Sequence, residues 1–225
     1  IAVWSHGATR IDLCLFDASG KEIWHHKLTA QSGDIHYAFV EGIAAGQHYG
    51  LRAHGAYDPA SGHHFDAHKL LLDPYATTIS ESFHYHPELS RHGAQTSHLV
   101  PKAIAVVTPT PVALRRPSQP KLIYELNVRG FTKRHPDVPV EKRGTIAALA
   151  EPAIIAHFKK MGADTIELMP IAAWIDERHL VNVGLRNAWG YNPVSFFAIE
   201  ARLAPGGLQE LRDTVSKLHE AGINV

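Results

Sequence analysis

The hydrophobic period of this 225-residue chain changes across a stretch that neither a helix nor a central strand tolerates. Thr108-Pro109-Thr110-Pro111 and Arg115-Arg116-Pro117-Ser118-Gln119-Pro120 crowd four prolines together. Each proline fixes φ and removes a backbone donor, so the segment is stiff and unpaired. Residues 108–120 are therefore predicted to be a linker between a domain at 1–107 and another at 121–225.

Before the linker the pattern alternates. Ile11, Leu13 and Leu15 fall on one face of Arg10-Ile11-Asp12-Leu13-Cys14-Leu15-Phe16. Asp17-Ala18-Ser19-Gly20 is a turn signal, and residues 22–28 read as the returning hairpin strand. Tyr37 with Phe39, and Tyr49 with Leu51 and Ala53, continue the alternation on either side of the turn at residues 42–46. Short strands between glycine-containing turns predict a β-sandwich of the immunoglobulin type.

After the linker the rhythm becomes strand, helix, strand, helix, strand. Residues 122–128 form the first predicted strand, followed by a polar loop. Ile154, Ile155, Phe158 and Met161 recur at helical spacing, with Pro152 suited to the first turn and Gly162 to the end. Residues 165–170 are the second strand; Leu208, Leu211, Val215 and Leu218 mark a second helix; Ile223-Asn224-Val225 begins a third strand. Such alternation implies a parallel sheet with helical crossovers. It fits the opening units of a TIM (β/α)8 barrel, left incomplete because three strands cannot close one. The missing initiator Met and an end inside a strand are expected if the chain is a piece of a longer one.

Composition narrows the partners. Lys+Arg and Asp+Glu both number 22, so no basic excess favours nucleic acid or an anionic membrane. No apolar run approaches the roughly 20 residues of a membrane helix. Cys14 is the only cysteine, which excludes an internal disulfide and a cysteine-based zinc site and suits a reducing cytoplasm. His25 with His26, and His63, His64 and His68, are weak metal candidates because no third ligand is specified, and no metal site is predicted. No motif calls for a nucleotide or other cofactor.

The segment from Pro170 to Pro205 exceeds the usual 2–6 residues of a βα connection. Loops at the C-terminal ends of barrel strands build the sites of barrel enzymes. This one carries Asn187-Ala188-Trp189-Gly190-Tyr191-Asn192, then Phe196-Phe197. An aromatic face takes the axial C–H groups of a sugar, and neighbouring amides serve its hydroxyls. The bland alternative is that Trp189, Phe196 and Phe197 form a hydrophobic plug that holds the loop down. Glu125 and Glu167 lie inside adjacent strands and read as structural.

Several motifs now resemble glycoside hydrolase family 13, in its bacterial glycogen debranching and isoamylase branch. They are residues 124–132 (Tyr124-Glu125-Leu126-Asn127 onward), Arg143-Gly144-Thr145, residues 162–170, residues 176–180 followed by Gly184-Leu185-Arg186-Asn187, and the Trp189-Gly190-Tyr191 loop. Phe65-Asp66-Ala67-His68 through Asp73-Pro74-Tyr75-Ala76 resembles a segment of the family 48 carbohydrate-binding module. The resemblance covers essentially the whole chain, in the right order. It implies an N-terminal piece of an enzyme that hydrolyses α-1,6 branch linkages of glycogen or limit dextrin by a retaining mechanism. It implies Tyr191 as the ring stacking on sugar beside the cleaved bond, with Asn192 and Trp189 as further substrate-binding residues, Trp189 doubling as a loop anchor. Ala188 departs from the usual Tyr or Asn. The catalytic carboxylates are expected beyond residue 225, so none is assigned here and the piece is expected to be inactive. Alternatives are a non-catalytic α-glucan-binding protein, with Trp4 and Trp24 as possible platforms, or a branching enzyme or trehalose-releasing hydrolase of the same family.

Overall fold

A computed structural model describes residues 1–107 and 119–225. They fall into two compact units. The first comprises Ile1–Val107, Ile175–Arg186 and Val194–Ala198; the second runs to Trp174 and adds Asn187–Pro193 and Ile199–Val225. Residues 108–118 of the expected linker lie outside the described residues. The long loop after Pro170, which the sequence placed wholly in the second half, instead divides between the units. Side-chain chemistry gives the reason: the buried Ser195 hydroxyl donates to the Ala76 carbonyl at 3.0 Å, and the Phe197 ring stacks on Tyr75 at 5.7 Å.

The strands of the first unit are β1 (Ala2–Trp4), β2 (Arg10–Phe16), β3 (Glu22–Lys27), β4 (Ala30–Ser32), β5 (Ile35–Tyr37), β6 (His48–His54), β7 (Tyr57–Asp58), β8 (His63–His64) and β9 (Ala103–Ile104). Two main sheets have the orders β1-β5-β4 and β3-β2-β6-β9, β7 and β8 form a two-stranded ribbon, and every pairing is antiparallel. The β2–β3 turn forms where the sequence signalled it. The Asp17 carboxylate accepts from the Ser19 and Lys21 amides at 2.9 and 3.0 Å, and Gly20 takes the left-handed φ of +81°. Val3, Leu28 and Ala38 pack with Ile11, Leu13, Leu51 and Ala53 between the sheets. This is the expected β-sandwich.

β2 is buried on both faces. Cys14 and Phe16 point away from the sandwich interior into a second core with Leu70 and Val100. Alternation had identified only the first face. Tyr37 and Phe39 do share a side, but both are exposed, Phe39 at 90%.

On the same face of β2 as Cys14, Asp12 is 3% exposed. Its carboxylate accepts from Arg10 Nε and Nη2 at 2.6 and 2.7 Å and pairs with His54 Nε2 at 2.9 Å. Burial by itself would push the carboxyl pKa up; hydrogen bonds from Arg10 and His54 outweigh it, so the net shift is downward.

In the second unit, β10 (Ile123–Leu126) and β11 (Thr165–Leu168) pair in parallel, from Ile123 opposite Thr165 to Leu126 opposite Leu168. Asn224 extends the sheet beyond β11: its carbonyl accepts from the Ile166 amide at 2.9 Å, and its amide donates to the Asp164 carbonyl at 2.8 Å. The helices are α1 (Val128–Thr132), α2 (Pro152–Met161), α3 (Arg178–Val181, in the first unit) and α4 (Gly207–Glu220). Pro152 opens α2 and Gly162, at φ +79°, closes it. Ile154, Phe158 and Leu218 press with Ile223 against Leu126 and Ile166, covering one face of the sheet. On the opposite face Ile123, Glu125 and Glu167 are exposed.

The predicted first strand is too long. It ends at Leu126 because the Asn127 side chain accepts from the Gly130 amide at 2.8 Å and starts α1. Residues 128–132, read as strand end and loop, form that short helix.

Replacing Asp12 by Asn is expected to cost about 2 kcal/mol, below the usual cost of breaking a buried pair because Arg10 reaches solvent. The Asp12 contribution is present above the unfolded carboxyl pKa and is lost as pH falls through the lowered folded value. The gap in denaturation midpoint between wild type and Asp12→Asn should therefore be full at pH 7 and shrink below about pH 4. A gap that is constant with pH would contradict the assignment.

Candidate functional site

The C-terminal ends of β10 and β11 carry an open cleft of about 730 Å³, lined by Glu125, Leu126, Asn127, Met169, Trp189 and Tyr191. Leu126 and Leu168 are register partners, so the strands end level and Asn127 and Met169 sit side by side on the ledge. The last residues of β10 with Asn127 and Met169 supply the floor, and the aromatic loop supplies a wall.

Three features hold that loop. The first is Asn187, whose Oδ1 accepts from the Trp189 and Gly190 amides at 2.9 and 2.8 Å and so locks a tight turn. The second is Gly190. Its φ is +82°, and a Cβ there would lie 2.9 Å from the Pro170 carbonyl oxygen and 3.1 Å from Trp174 Cε3. Only glycine allows this backbone to close on Pro170, two residues past the end of β11. The third is Asn127, whose Nδ2 donates to the Ala188 carbonyl at 2.8 Å. Beneath the loop Trp174 is 5% exposed and pairs with Pro193 through an antiparallel bridge. The Arg202 guanidinium lies 4.6 Å from its ring centroid, and Arg202 Nε donates at 2.7 Å to Glu200, which is 1% exposed.

With the backbone so fixed, the rings are free to face solvent. Trp189 is 67% exposed and Tyr191 61%, with centroids 6.3 Å apart and planes at 72°. Phe196 and Phe197 are also more than half exposed, Phe197 stacking on Tyr75, and the buried aromatic beneath the loop is Trp174. Trp189 anchors through its backbone amide, not through its ring. Asn192 is half-buried and does not line the cleft. Glu125, read from the sequence as structural, does line it, because β10 ends only one residue later. The anchoring roles of Asn127 and Asn187 went unread. An Asn followed three residues later by Gly was the available signal at 187–190.

Elsewhere the candidate histidines are spread over separate local settings. His68 Nδ1 lies 3.0 Å from Asp66, His25 Nδ1 lies 3.7 Å from Glu22, and His63 and His64 form β8. Among the described residues no group of three His, Cys, Asp or Glu side chains is arranged to hold a metal ion. Trp4 is 61% exposed and Trp24 39%, each stacked on a histidine two residues along. No helix among the described residues is long and apolar enough to cross a membrane.

Comparison with known proteins bears on what the cleft serves. Residues 1–76 match carbohydrate-binding module 48, the isoamylase N-terminal domain. The glycogen debranching enzyme of Yersinia enterocolitica is 40% identical over 99% of this chain, and that of Salmonella paratyphi B is 38% identical over the same share. The chain is a homologue of the glycogen debranching enzymes. It spans about a third of the length of these curated relatives, 36% of each. Among solved structures, the pullulanase of Bacillus acidopullulyticus aligns over 99% of this chain and 27% of its own, with a TM-score of 0.70 at 18% identity. The Anoxybacillus pullulanase complexed with maltotetraose aligns over 99% and 32%, with a TM-score of 0.67 at 20% identity. That likeness is one of fold.

The close approach at Gly190 makes a direct test. Gly190→Ala should lower stability by about 2 kcal/mol, from left-handed strain and the clash with Pro170. It should also make the peptide bonds around Trp189 more susceptible to limited proteolysis. A variant as stable and as protease-resistant as wild type would show that the loop is not closed on Pro170.

Proposed function

We propose that this chain forms the glucan-gripping part of an enzyme that hydrolyses α-1,6 branch linkages in glycogen or limit dextrin. One observation carries the reading: in a homologue of the glycogen debranching enzymes, an exposed Trp189–Tyr191 pair is fixed by its backbone at the C-terminal ends of parallel strands. β10, β11 and the strand begun by Asn224 are on this reading the first staves of a (β/α)8 barrel. A barrel places its chemistry at that end.

In this scheme the Tyr191 ring packs on the apolar face of the glucose beside the scissile bond. Trp189 offers a second face at a steep angle to the first. The chemistry is retaining hydrolysis. A carboxylate attacks the anomeric carbon as a carboxylic acid gives its proton to the leaving oxygen; water then cleaves the glycosyl-enzyme, and the second group takes back a proton. The two carboxyls need a separation of about 5–5.5 Å. We place that pair outside these 225 residues, since Glu125 and Glu167 belong to strands and not to the loops beyond them. The partner is branched α-glucan.

Two outcomes follow. The 225-residue chain by itself should release no reducing ends from a branched limit dextrin; turnover by the purified chain would refute the placement of the carboxylates. In the full-length enzyme, Tyr191→Ala should lower kcat/KM on that substrate about tenfold, the loss of one stacking face. An unchanged kcat/KM would remove Tyr191 from the site.

A further inference from the structure

We propose that Asn127 is a positioning residue for Tyr191, setting the level of the aromatic loop above the strand ends through the carbonyl of Ala188. The inference rests on the glucan-contacting role of Tyr191 proposed above.

The two ends of one carboxamide do different work. Oδ1 accepts from the Gly130 amide at 2.8 Å and starts α1, which fixes the plane and sense of the group. Nδ2 is thereby aimed at the Ala188 carbonyl, also 2.8 Å away though 61 residues distant in sequence. The carbonyl it holds cannot shift on its own. The Asn187 carboxamide fixes the next two amides, those of Trp189 and Gly190, and Gly190 is closed on Pro170. Tyr191 follows directly. The loop is thus tied to the end of β10 by Asn127 and lies closely against Pro170 at Gly190, and the level of the Tyr191 ring is set by both. The tie runs through backbone at residue 188, so the alanine side chain there does not weaken it.

This predicts what a substitution must preserve. Asp at position 127 keeps the size and the acceptor for Gly130 but has no donor, and it sets a carboxylate against the Ala188 oxygen. Ser keeps an N-capping acceptor without a charge and is too short to span to Ala188.

The test is a double-mutant cycle in the full-length enzyme: wild type, Asn127→Asp, Tyr191→Ala and the double variant. Each is assayed for kcat and KM on branched limit dextrin and for thermal midpoint. Asn127→Asp should raise KM and lower kcat/KM about tenfold while its midpoint stays near wild type, because the α1 cap survives. In the Tyr191→Ala background the same change should have a clearly smaller further effect, since the part of its route that runs through Tyr191 is gone. Asn127→Ser should reproduce both results, and it carries the test if the aspartate variant does not fold. Equal effects in the two backgrounds would overturn the proposal, as would full activity of both position-127 variants beside an impaired Tyr191→Ala. Wild-type kinetics for Tyr191→Ala would instead bring down the glucan-contacting role itself, and this inference with it.

Discussion

The parallel register of β10 with β11 is the constraint on which the cleft depends. Leu126 sits opposite Leu168, so the two strands finish at one level and the chain leaves both as neighbouring backbones on a common ledge. A one-residue slip of either strand would turn its own buried residue, Leu126 or Ile166, off the helix-covered face, where both pack with Phe158 and Ile154. Hydrophobic packing on one side of the sheet therefore fixes the height of polar groups at its edge. Asn127 and Met169 are where they are because Leu126 and Ile166 are buried.

The aromatic loop is built on the opposite economy: its backbone is constrained and its large side chains are left exposed. Rings that are half or more in water contribute little to folding. Their placement is maintained by amide hydrogen bonds, by a left-handed glycine against a carbonyl oxygen, and by the Trp174–Arg202–Glu200 stack below. Preorganisation of this kind removes part of the ordering cost when a ligand arrives.

Much of this was legible in the sequence. The two antiparallel runs, the Asp17–Gly20 turn, the Pro152–Gly162 boundaries of α2 and the parallel third segment at Asn224 all follow from period, proline and glycine. What stayed hidden depends on contacts between residues far apart in the chain. The second buried face of β2 needs Leu70 and Val100, which no local pattern supplies. The division of the long loop turns on Ser195 finding the Ala76 carbonyl, and the early end of β10 on an Asn side chain outcompeting the strand ladder for the Gly130 amide. At the cleft the residue types were readable and their exposure was not. Tryptophan and phenylalanine in a loop suggest burial by composition, whereas the backbone around Asn187 and Gly190 turns Trp189 outward.

Glu125 and Glu167 are register partners on the face of the sheet that the helices leave bare. Two carboxylates side by side repel each other and hold a shared shell of water. Hydrocarbon laid across them would have to strip that shell without returning anything for it. The helix-free face of these strands therefore favours water, or groups that bring protons or positive charge, over an apolar cover.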